Sequence, residues 1–211
     1  MVEPQQHRRP ALFAGHEFSA FAAAQDPAAV MRTAHQTARA LVARARASED
    51  RDVVERLVTY TDEHGIDAIA ELWARSAALT LPGALWRIYL VRVMIRQDPA
   101  GVSLLYQRGT EVLPTIDALV AGAPTPAGPE EITELADRIL RGVFDGDLAI
   151  ALDRAAAFCR VAAAGAGSIA DDQEGANPER ASALTTRALR LTTIADELRA
   201  CARMASADAL D

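Results

Sequence analysis

The chain has 211 residues, half of them apolar, a formal net charge of −7, and 22 basic residues that are all arginine. Without lysine there is no Walker-A phosphate grip, no Schiff-base chemistry and no lysine-dependent protein kinase. The acidic balance argues against a generic polyanion binder. Alanine dominates and Val/Ile alternation is scarce, which predicts an all-α fold: a single helical bundle of roughly seven to nine helices, or two helical subdomains.

In chain order, residues 1–15 read as a flexible polar tail. Arg8 and Arg9 before "PALFAGHEFSAFAAAQ" loosely resemble a twin-arginine leader. His16 and Glu17 interrupt the apolar stretch, so no leader is expected. The N-terminal helical part spans 16–121. It begins with a short helix over Glu17–Ala24. A helix over Pro27–Ala47 follows, capped by Asp26 with Pro27 at its first position. The next helix runs from the cap Ser48 to a stop at Gly65, with Val53, Val54, Leu57, Val58 and Thr61 on one face. A third covers "IDAIAELWARSAA", with Ile66, Ile69, Ala70 and Trp73 inward.

"TLPGALWRIYLVRVMIRQDP" is the densest apolar run and is read as the central helix. Arg92 and Arg96 lie about 40° apart on its wheel, and Arg87 about 140° from Arg92. At least one of the three is expected to snorkel or to pair with an acid such as Glu55, Asp67 or Glu71. The run is short and broken by Arg87 and Arg92, so no membrane span is expected. "PAGVSLLYQRG" and "TEVLPTIDALVAG" are two further helices, the second kinked or begun near Pro114.

Residues 122–129 form a Pro/Gly linker. The C-terminal part, 130–207, is expected to pack on the first. Its first helix carries an apolar stripe of Ile132, Leu135, Ile139, Leu140 and Val143. A second starts from Asp145 or Asp147. Residues 165–177 are expected to be a mobile loop, and Pro178 opens a last helix with Leu184, Leu191, Ile194, Leu198 and Cys201 along its apolar face. Cys159 and Cys201 lack CxxC spacing and read as buried, reduced thiols.

Several short motifs fall short of a chemistry. "GAGSIA" at 165–170 matches the GxGxxA dinucleotide fingerprint but follows a helical pattern in place of a strand. "AGVSLLY" at 100–106 resembles the helix-turn-helix phrase of TetR-like repressors, with the spacing too short. Glu130, Glu134 and Asp137 share a helix face. They resemble the first half of the MazG-type nucleotide pyrophosphohydrolase pattern, which implies a Mg²⁺ site. The second ExxD pair is missing, since Asp147 and Asp153 do not share a face. The acids at 145–147 and 171–174 lack a calcium-loop spacing, and the four histidines form no metal motif. No metal, no cofactor and no catalytic residue is expected, and the reading leans away from an enzyme.

The helix over 27–47 contains no acid. Arg32, Arg39 and Arg46 recur every seven residues and form one stripe with His35 beside it. This is a candidate face for an anionic partner. Charge is also uneven: residues 1–110 hold 13 arginines against 12 acids, and residues 111–211 hold 9 against 17. The basic helix can therefore pack on the acidic half of its own chain or of a second copy. Phrases such as "LPGALWRIYL" and "FDGDLAIALDRAAAFCR" are similar to small all-helical proteins of GC-rich actinobacteria with no assigned activity, a resemblance that implies a cytoplasmic location and no particular chemistry. The preferred expectation is a non-catalytic interaction or regulatory protein acting through helix surfaces, with another protein or a second copy as partner. The alternatives are a binder of a small anionic ligand, or an enzyme, with a pocket lined by Arg87, Arg92 and Tyr89, and a nucleic-acid-binding protein using the basic helix.

Overall fold

The computed structural model describes residues 27–47, 73–145 and 147–211. Among these the protein is all-α, with seven helices: α1 Pro27–Ala47, α2 Leu81–Gln97, α3 Pro99–Val112, α4 Asp117–Ala121, α5 Pro129–Asp145, α6 Leu148–Gln173 and α7 Pro178–Ser206. The helices expected over 17–24 and 48–65, the pairing acids Glu55, Asp67 and Glu71, and Ile66, Ile69 and Ala70 lie outside the described residues.

Local chemistry sets most boundaries. Thr80 caps α2 by accepting the Gly83 N–H at 3.2 Å, with Pro82 in the first turn, where its missing N–H costs nothing. Asp98 ends α2 and starts α3: its carboxylate accepts the Gly101 N–H at 2.9 Å, and Pro99 opens the new helix. Asp147 caps α6 through the amides of Ala149 and Ile150, and Asn177 caps α7 through Arg180. At the far end of α7, Asp208 turns into the left-handed region at φ 51°, and the Ala209 N–H returns to the Met204 carbonyl at 2.8 Å.

Two of the expected elements are redrawn, and the helix expected over 66–78 ends at Ala74, with turns and irregular backbone from there to Thr80. The helix expected over "TEVLPTIDALVAG" does not exist as one piece: Thr110–Val112 belong to α3, the chain is irregular through Leu113–Ile116, and α4 has only five residues. Pro114 is the cause, because it denies Leu113 the α region and offers no N–H; Leu113 sits extended at φ −104°, ψ 96°. The loop expected over 165–177 is helical as far as Gln173, with Gly165, Ala166 and Ala170 buried, and the turn is confined to Glu174–Asn177.

That second correction has a packing reason. A Cβ on Gly165 would lie 1.8 Å from the Leu105 carbonyl oxygen, and one on Gly109 would lie 1.8 Å from that of Val161. The backbones of α3 and α6 touch here, and glycine on both sides is what lets them. Gly165, at the start of the expected loop, therefore belongs to a helix crossing. Gly167 of the same motif has nothing within 4 Å and makes no such contact.

α6 is the hub and touches α2, α3, α4, α5 and α7. Its buried surface is mostly alanine, with Leu148, Leu152, Phe158 and Val161 as the large side chains. The α5 stripe of Ile132, Leu135, Ile139, Leu140 and Val143 is buried in full, and Leu191, Leu198 and Cys201 of α7 close the other side. Residues from both sides of the 122–128 connection share one core cluster. The connection itself is tied down: Ser103 Oγ and Gln107 Nε2 both donate to the Ala127 carbonyl, at 2.6 and 2.8 Å. α1 joins through Ala34, Ala38 and Val42, and the buried Trp73 indole donates to Thr37 Oγ1 at 3.3 Å.

Candidate interaction face and the ion pairs around it

The three arginines of α2 each reach a different depth. Arg92 is 4% exposed, and its Nε donates to Asp137 Oδ1 at 3.0 Å. Arg96, one turn on, reaches both oxygens of the same carboxylate at 3.2 and 3.1 Å. Arg87, on the other side of the helix, pairs with Glu197 of α7 and donates to the Gly83 carbonyl at 2.9 Å. The expected ion pairing of a buried arginine is present, with Asp137 and Glu197 among the partners. Arg87 and Arg92 thus serve contacts with two different helices. Tyr89 is half-buried with its ring 5.5 Å from Trp86.

Asp137 changes role accordingly. It was one corner of the carboxylate face suggestive of Mg²⁺, and the structure gives it to two guanidinium groups. Glu130 and Glu134 are exposed, and no group of three metal-ligating side chains forms among the described residues. The phrase resembling a helix-turn-helix is the helix its sequence predicts: residues 100–106 lie inside the unbroken α3, with Val102, Leu105 and Tyr106 buried. Tyr106 stacks on Phe158 at 5.3 Å and donates to the Ala118 carbonyl, and burial pushes its phenol up to about 12.

A second network ties α4 to α6. Arg160 Nε donates to Asp117 Oδ1 at 2.9 Å, and Thr115 Oγ1 donates to Oδ2 at 2.8 Å. Asp117 is buried, yet its carboxyl is held below the usual carboxylate range. The Arg160 hydrogen bond is the main cause, and it outweighs the desolvation that pushes the other way. Near the C-terminal end of α6, Arg108 holds Ser168 and Asp172 at 3.0 and 3.1 Å. Cys159 and Cys201 are both buried and unbridged, and burial pushes the Cys159 thiol up to about 12. These two networks carried no pattern in the sequence, since each joins residues more than forty positions apart with no spacing to mark them.

The basic face sits on α1, whose buried side is Ala34, Ala38 and Val42. Arg32 is exposed, His35 is half-buried at the edge, and the Arg39 side chain is 58% exposed. Arg46 lies in the helix, with its side chain outside the described residues. The helix has no acid in its 21 residues, so no carboxylate of its own neutralises the stripe. One does arrive from elsewhere: the Asp211 carboxylate pairs with Arg39. Exposed Val30 and Met31 flank the first turns. A separate apolar ridge, Ile116 and Leu119, stands 72% and 82% exposed at α4.

No helix among the described residues is long and apolar enough to cross a membrane. Comparison with protein-family models, curated proteins and solved structures finds no match.

Proposed function

We propose that the protein is a non-catalytic helical interaction protein whose α1 face receives an acidic protein segment, from a partner or from a second copy. The observation that carries this reading is Arg39. On an acid-free helix, a side chain 58% exposed already holds a carboxylate from the opposite end of the chain. A guanidinium that stays reachable and sits among other arginines favours carboxylates by charge and by its fork of donors. The rest of the acidic half supplies such carboxylates on any second copy. The arginine-pocket reading draws no support from Arg87 and Arg92, because both are engaged in ion pairs inside the bundle.

The test is a titration with a fluorescently labelled oligo-glutamate peptide, and in parallel with a labelled DNA duplex, by anisotropy. The expected result is salt-sensitive binding of the peptide that is lost in the double variant Arg32→Glu, Arg39→Glu. Duplex binding lost in the same variant would move the assignment to nucleic acid. Peptide binding that survives charge reversal would remove α1 from the account.

A further inference from the structure

We infer that residues Ala207–Asp211 are a strap that occupies part of the α1 face and must lift before an acidic partner can use it. After α7 ends, the left-handed Asp208 reverses the chain direction, with the amides of Ala207 and Ala209 returning to Met204. The segment then crosses to the start of α2. There the Asp211 main-chain oxygen accepts the Leu81 N–H at 2.8 Å, satisfying one of the donors that a helix start leaves unpaired. Leu210 packs against the core beside it, and the Asp211 carboxylate pairs with Arg39. Three contacts therefore hold the segment: a backbone hydrogen bond and an ion pair from Asp211, and the apolar side chain of Leu210.

The strength of this hold suits a reversible device. The ion pair is exposed on both sides, with side chains 58% and 75% accessible, so it contributes little and weakens with salt. Leu210 is only partly buried. No helix depends on the strap for its interior hydrogen bonds. Lifting it releases Arg39 from its carboxylate and the Leu81 amide from its acceptor, in one corner between α1 and the start of α2. The occupant such a corner accepts is a segment of the strap's own chemistry: an apolar residue followed by an aspartate or glutamate, in extended backbone. This inference rests on the α1 reading for the choice of ligand. The strap itself rests on Leu81 and Leu210.

The experiment uses the full chain with Leu210→Ala and Asp211→Ala together, and two readouts that separate the two ideas. Amide hydrogen exchange at Leu81 reports the strap alone. Protection is expected in the wild type and lost in the variant, while the helix interiors keep theirs. Equal protection in both would overturn the strap. The second readout is the affinity of a synthetic peptide with the sequence of residues 204–211. If the strap is closed in roughly nine molecules of ten, the variant binds that peptide about tenfold more tightly than the wild type. The gain should disappear when Arg39→Ala is added. An unprotected Leu81 with no gain in affinity would leave a strap that guards no ligand, and would overturn the inference as an inhibitory device. Far-UV circular dichroism unchanged from the wild type confirms that the variant is folded.

Discussion

α6 and α2 are both central helices, and they solve the same problem in opposite ways. α6 reaches five neighbours by being thin: alanines and Gly165 let other backbones come close. α2 reaches its neighbours by being thick, with Leu85, Ile88, Val91 and Ile95 filling the space and long arginines extending to Asp137 and Glu197. Close approach is unforgiving, because backbone cannot move aside for one atom. Long polar side chains at the edge of a core are forgiving, because a stem packs while a charged head finds a partner or water. The fold is therefore expected to tolerate change on the α2 side far better than at the α3–α6 crossing.

Substitutions can break that comparison, and the largest effect should fall at the crossing. Gly165→Ala forces a methyl group against the Leu105 carbonyl and the Gly109 amide, and should cost about 3 kcal/mol or more in urea unfolding. A neutral result would mean the helices are further apart than described. Arg92→Ala should cost about 2 kcal/mol, since it removes a buried stem and one of the two guanidinium groups on Asp137. Arg96→Ala, on the same carboxylate but 37% exposed, should stay under about 1 kcal/mol, and equal costs for the two would erase the distinction between depths.

Asp117 offers a pH test on the α6 side. Its folded pKa is depressed relative to the unfolded chain, so its contribution is complete above the ordinary carboxylate range and is lost as pH falls through and below that range. Asp117→Asn should cost about 1.5 kcal/mol at pH 7. It should also flatten the acid limb of stability against pH below about 4. An unchanged acid limb would assign that limb to other carboxylates. The smallest effect runs in the favourable direction. Gly167→Ala meets empty space in a helix and should stabilise by about 0.5–1 kcal/mol, two residues from a site where the same change is the most damaging.

The all-α class and most helix starts were legible because their signals are local. Proline at the first positions, Asp147 as a cap and the α5 stripe all act within a turn or two of themselves. The ion pairing of the α2 arginines was legible as a need, since an apolar helix cannot leave a guanidinium alone. Its partners were not, because Asp137 is 45 positions from Arg92 and its acid-rich helix reads equally well as a metal face. Gly165 was misread for a related reason. A glycine that breaks a helix and one that admits another helix look alike until the partner, Gly109, is in view. The strap had no sequence signal at all: it depends on where the start of α2 meets the end of α7.

The most direct test of the account is to map the acidic peptide on the protein by amide chemical-shift changes during an oligo-glutamate titration. The largest changes are expected on α1 between Arg32 and Val42 and at Leu81, and salt should suppress them together. Changes centred on Ile116 and Leu119 of α4, or none at all in the full chain and in the Leu210→Ala, Asp211→Ala variant, would contradict it.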